Sequence, residues 1–168
     1  VPSDLIAYFS AAATAAAALI GLLFVAIGLR PDSIFGPDAP TLGRNLAVSA
    51  FIALANALFV SLTALIGRSS FNTAVIAMAV VSLVSMVRLI RRPKDGISNL
   101  VITIISVLVY LSELACGIGL NTRPKSTSLV YDVCDVTLFA FAVALVRAWL
   151  LIQGRHLKPG TKQSASLQ

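Results

Sequence analysis

Polar and apolar positions fall into long blocks along this chain. Five apolar segments, 5–29, 46–66, 73–90, 97–120 and 128–152, are separated by short polar ones. Each is about as long as a helix needs to cross a bilayer at 1.5 Å per residue. The pattern therefore predicts an all-α bundle of five transmembrane helices, formed by residues 1–154, followed by a polar tail at 155–168. The first segment has no basic stretch before it, so it reads as a span and not as a cleaved leader.

The segment 97–120 is the most patterned. It carries Asn99, Thr103, Ser106, Tyr110, Glu113 and Gly117, spaced 4, 3, 4, 3 and 4 residues apart. That spacing places all six on one face of a helix, among Ile, Leu and Val. Lipid cannot satisfy such a stripe, so it must face protein or water. The other helices are expected to shield it. The second segment holds a smaller set of amides and hydroxyls, Asn45, Ser49, Asn56 and Thr63, with Asn56 near mid-membrane.

The connections are read from their turn residues. Residues 67–72 and 121–127 are short enough to make antiparallel hairpins of the helices on either side. Residues 30–43 contain Pro31, Pro37, Pro40, Gly36 and Gly43 and cannot be helical throughout. Ile34 and Phe35 within that loop are expected to dip into the headgroup layer.

Composition agrees with the pattern. The chain has 168 residues, 58% hydrophobic and 12% charged. A soluble domain carries about twice that share of charge, roughly 25%. The net charge of +6 is unevenly placed. In a five-span topology ten basic residues share one side: Arg30, Arg44, Arg88, Arg91, Arg92, Lys94, Arg147, Arg155, Lys158 and Lys162. Only Arg68, Arg123 and Lys125 lie on the other. The bias predicts the N-terminus outside and the C-terminus in the cytoplasm. It also accounts for the basic balance without a nucleic-acid partner.

Candidate chemistry follows from polar groups at membrane depth. Glu113 and Asp135 are equidistant from a turn centred near Pro124, and Asp132 lies one turn nearer the surface. The three carboxylates are expected to converge in the outer half. They cannot all stay ionised there unless a cation, an Arg or water sits among them. Glu113, Asp135, Asp132, Tyr110, Ser106 and Asn56 are thus the candidate ion path. The function expected is conduction or translocation of an ion, a cation or a proton. The alternative is a non-catalytic structural or assembly subunit of a larger membrane complex, its polar stripe bonded to a partner helix.

Other features have simpler readings. Ser10, Thr14, Ala17, Gly21 and Gly28 make a small-residue face on the first helix. Thr14, Ala17 and Gly21 are the candidate packing interface, central in the bundle or between copies of a homo-oligomer. Arg88, Arg91, Arg92 and Lys94 form a basic collar that fits membrane lipid headgroups. Arg147, one turn inside the last span, is expected to snorkel to the inner surface beside Trp149. Cys116 and Cys134 lie at similar depth on the outer side, where a disulfide is permitted, and two free thiols are the preferred expectation. One His and no CxxC give no zinc, haem or iron–sulfur set, and no cofactor is expected. No nucleophile–base pair is visible, so the chain is not expected to be an enzyme.

The run Ala11-Ala-Ala-Thr-Ala-Ala-Ala-Ala-Leu-Ile-Gly-Leu-Leu-Phe-Val-Ala-Ile-Gly-Leu-Arg30 resembles the first helix of a loose group of small, uncharacterised bacterial multi-span membrane proteins. The resemblance implies a bacterial cytoplasmic membrane protein and transfers no functional residue.

Overall fold

The apolar segments become helices over nearly the bounds that their lengths imply. A computed structural model describes residues 3–29, 31–36, 41–90, 97–123 and 126–153. Its elements are α1 (Ser3–Gly28), α2 (Pro31–Phe35), α3 (Thr41–Ile66), α4 (Arg68–Ile90), α5 (Ile97–Thr122) and α6 (Ser128–Gln153). Five helices are long and apolar enough to cross a membrane, as in an integral membrane protein.

Local chemistry sets the breaks. Pro31 opens α2, where its fixed φ suits the first helical turn and its missing N–H costs nothing. Gly36 ends that helix with its N–H on the Asp32 carbonyl at 3.0 Å. Gly67 alone joins α3 to α4, at a φ of 157° that side chains rarely adopt. After α5, the Arg123 N–H returns to Gly119 O at 2.8 Å, and Thr127 O accepts from the Val130 and Tyr131 N–H groups in the first turn of α6.

Helices α3, α4, α5 and α6 form a closed ring, each packed on the next, with α6 closing against α3. Helices α3 and α5 therefore stand on one diagonal of the ring, and α4 and α6 on the other. Helix α1 lies outside it, packed mainly on α3 and touching α6 lightly. The best-shielded helix is α3, with 44% of its span buried against 22–28% for the others. The striped α5 is thus one wall of the ring, and α3, which also carries α1, is its most shielded wall.

Two apolar clusters hold the ends. Leu5, Phe9, Val60, Phe71, Leu120 and Val133 join at the end where α3 meets α4 and α5 meets α6. Phe9 packs edge-on against Phe71 at 5.6 Å, and Tyr8 donates to the Cys134 carbonyl at 2.7 Å. Leu23, Leu46, Leu54, Ala144 and Leu151 pack together at the opposite end. Ile34 belongs to this second cluster and is buried, so it anchors α2 to the bundle core and does not dip into headgroups; Phe35 is exposed.

The small-residue face of α1 does not pack centrally. Thr14, Ala17 and Gly21 are exposed, and a Cβ built on Gly21 or Gly28 meets nothing within 4 Å. The buried face of α1 is instead Leu5, Phe9, Ala12, Ala13, Ala16 and Leu23. Close approach through a glycine occurs elsewhere. A Cβ on Gly117 of α5 would lie 2.8 Å from Ile76 Cγ1 and 3.2 Å from the Ile76 backbone nitrogen of α4.

Candidate functional site

The stripe on α5 faces into the ring over its described length. Thr103, Ser106, Tyr110, Glu113, Gly117 and Leu120 are all buried. The side chain of Asn99 lies outside the described residues. Buried polar groups from the other three ring helices meet this face, and together they make a polar axis.

The outer layer of the axis joins α3 to α5. Asn56 Nδ2 donates to Glu113 Oε2 at 2.6 Å, both side chains being buried. This bond spans a ring diagonal, between helices whose backbones do not touch. Asn56 Oδ1 has no hydrogen-bond partner. One turn along α5, Tyr110 lies beside Ser82 of α4, within electrostatic range of both Glu113 and Arg147.

The inner layer joins α6 to α4 and α5. Arg147 is only 2% exposed, so it does not snorkel to the surface. Its Nη2 donates to Ser106 Oγ at 2.7 Å, and Nη1 and Nη2 reach Met86 Sδ at 3.5 and 3.6 Å. The reason is rotational. Val133, Thr137, Ala140, Ala144, Arg147 and Leu151 recur at helical spacing and form the buried face of α6. A side chain on that face points at the axis, and Ser106 offers it an acceptor. The contact to Met86 spans the second diagonal. Ser106 lies seven residues from Glu113, about 10 Å along the helix.

The expected convergence of three carboxylates is not found. Glu113 is 3% exposed, whereas Asp132 and Asp135 are exposed on α6. Equal depth does not imply a shared face: Val133 and Thr137 take the inward positions, and the two acids fall to either side. Asp132 lies toward Cys116, which is within electrostatic range of Glu113 as well. Asp135 lies toward Tyr8 and Cys134. Cys116 and Cys134 are not bonded to each other. The sequence-based site thus divides: Glu113, Asn56, Tyr110 and Ser106 come together, and Asp132 and Asp135 do not join them. Arg147 and Met86 were missed as members. The spacing of buried positions along α6 was the signal for Arg147; nothing in the sequence pairs it with Met86.

Of the basic collar, Arg88 is exposed in the last turn of α4, and Arg91, Arg92 and Lys94 lie outside the described residues. No group of three His, Cys, Asp or Glu among the described residues is placed to hold a metal ion. A groove of about 140 Å³ between α1, α3 and α6 is lined by Leu and Ala only, so it offers no polar chemistry.

No protein-family model, curated protein or solved structure matches the chain.

Proposed function

We propose that this protein translocates ions across the bacterial cytoplasmic membrane, N-terminus out and C-terminus in, and that the ion is the proton. The observation that carries the reading is the Asn56–Glu113 pair at the centre of the ring. The amide of Asn56 donates to one carboxyl oxygen, while its own carbonyl oxygen has no donor. A protonated Glu113 supplies an O–H for that acceptor, and an ionised one does not. The pair is chemically suited to take up and release a proton. Tyr110 and Ser106 continue the hydroxyl-bearing face below it, and Asp132 stands at the outer mouth beside Cys116. Asp135 is left out of the path. The choice of the proton rests on the Asn56–Glu113 pair, where exchange needs only a donor and an acceptor in sequence.

The test is proton flux into liposomes carrying the purified protein, read with an entrapped pH dye. Native protein is expected to dissipate an imposed gradient. Glu113→Gln keeps the acceptor for Asn56 and removes the titratable group, and is expected to abolish flux; Asp135→Asn is expected to leave it unchanged. Absence of flux from native protein, or full flux in Glu113→Gln, overturns the proposal.

A second reading, a structural or assembly subunit, draws on a different observation. Thr14, Ala17 and Gly21 present a small-residue face outward from α1, and Gly21 leaves open space before it. Such a face lets a second helix approach closely, from another copy of this chain or from a partner. Particle mass in mild detergent separates the cases: a symmetric oligomer favours self-association, and one copy beside unrelated chains favours the subunit.

A further inference from the structure

A guanidinium stays charged at any physiological pH, so a buried one must find a counter-charge. Arg147 is buried in the inner layer and has none among the described side chains. Its Nη2 hydrogen bond goes to the hydroxyl oxygen of Ser106, which is neutral and gives its own proton to the Ile102 carbonyl. The two contacts to Met86 Sδ are with a thioether, a weak acceptor. Arg147 Nε has no acceptor at all. The titratable group within its electrostatic range is Tyr110, which brings an O–H and not a carboxylate. Glu113 lies about 10 Å further along α5 and is engaged by Asn56. Asp135 and Asp132 lie twelve or more residues back along α6, about 18 Å or more away in depth, and are exposed.

We infer that the Arg147 guanidinium is the binding site for a small monovalent inorganic anion of the halide class, in the space beside Ser106 and Met86. One uncompensated positive charge calls for one negative charge. The surrounding side chains, Tyr110, Ser82, Ser106 and Met86, are themselves buried, which restricts the ligand to a few atoms. A halide also makes no demand for the paired donor geometry that carboxylate and phosphate take from arginine. Met86 is the movable element: its unbranched chain has several torsions, and swinging the sulfur aside frees both Nη groups toward the ligand. Arg147 lies six residues from the end of α6 and Met86 four from the end of α4. The site is therefore within about 9 Å of the inner ends of the helices and within reach of the cytoplasmic face. It stands independently of proton transfer at Glu113.

The test uses the full chain in detergent with gluconate as the background anion. Chloride is titrated in, and both the chlorine NMR line width and the melting temperature are followed. Native protein is expected to broaden the line saturably, to lose the broadening to competing bromide, and to melt higher with chloride. Arg147→Gln is expected to lose both effects, and Arg88→Gln, at an exposed position on α4, to keep both. Met86→Glu places a carboxylate of the chain itself beside the guanidinium, and is expected to fold and to lose the chloride dependence. If Arg147→Gln does not fold, Met86→Glu decides. No saturable broadening in native protein overturns the site. So does its persistence in Met86→Glu, or its equal loss in Arg88→Gln.

Discussion

At the scale of single residues, the interior of this bundle is decided by polar pairs with little redundancy. Asn56 is the hydrogen-bond donor on Glu113, and both side chains are buried, so removing the donor leaves a buried carboxyl without it. Asn56→Leu is therefore expected to lower stability by about 1–2 kcal/mol. Glu113→Gln, which still accepts from Asn56, is expected to cost less than about 1 kcal/mol. Reversible unfolding in mixed detergent micelles measures both, and the order of the two variants is the decisive result. Equal losses would mean that the amide–carboxyl bond contributes nothing beyond packing. Arg147 shows how far a residue's type underdetermines its place. An Arg near a helix end ordinarily reaches for the interface, yet this one turns inward because its face of α6 does.

At the scale of helices, two glycines inside apolar helices have opposite roles. Gly117 sits where α5 crosses α4, and a methyl there meets the Ile76 side chain and backbone. Gly117→Ala is expected to push the helices apart and cost about 1–3 kcal/mol. Gly21 faces outward, and Gly21→Leu is expected to leave the melting temperature of the monomer unchanged and to lower the fraction of oligomer seen by native mass spectrometry. A large drop in monomer stability with Gly21→Leu would contradict the exposed placement of that face. The stripe on α5 was legible beforehand. Six polar or small residues at helical spacing in an apolar helix admit one inward face, and lipid excludes the rest. The acids on α6 were legible only in depth. Rise along a helix depends on residue number alone, but the direction of a side chain depends on how its helix is rotated against neighbours.

At the scale of the whole molecule, five helices are long and apolar enough to cross a membrane, and in the proposed five-span topology the basic residues gather where α1 ends, α4 ends and α6 ends. A membrane-impermeant thiol reagent is expected to label a cysteine placed at position 126 from outside intact cells and one placed at position 166 only after lysis, on a background with Cys116 and Cys134 replaced by Ser. Labelling of both from the same side would break the five-span orientation.

What the sequence by itself determined is one-dimensional: the number of long apolar helices, a turn within 67–72, a break within 30–43 and the inward face of α5. These follow from segment length, from the φ angles that Gly and Pro allow, and from helical periodicity, all of which are local. Only the tertiary structure decided that α3 is the most shielded helix, that α1 stands outside the ring, and that Glu113 meets Asn56 while Arg147 meets Ser106 and Met86. The Asn56–Glu113 and Arg147–Met86 contacts span diagonals, between helices that are neither consecutive nor packed on each other, while Arg147–Ser106 joins neighbouring walls of the ring. Their formation depends on the relative rotation and height of four helices at once, which no local propensity encodes.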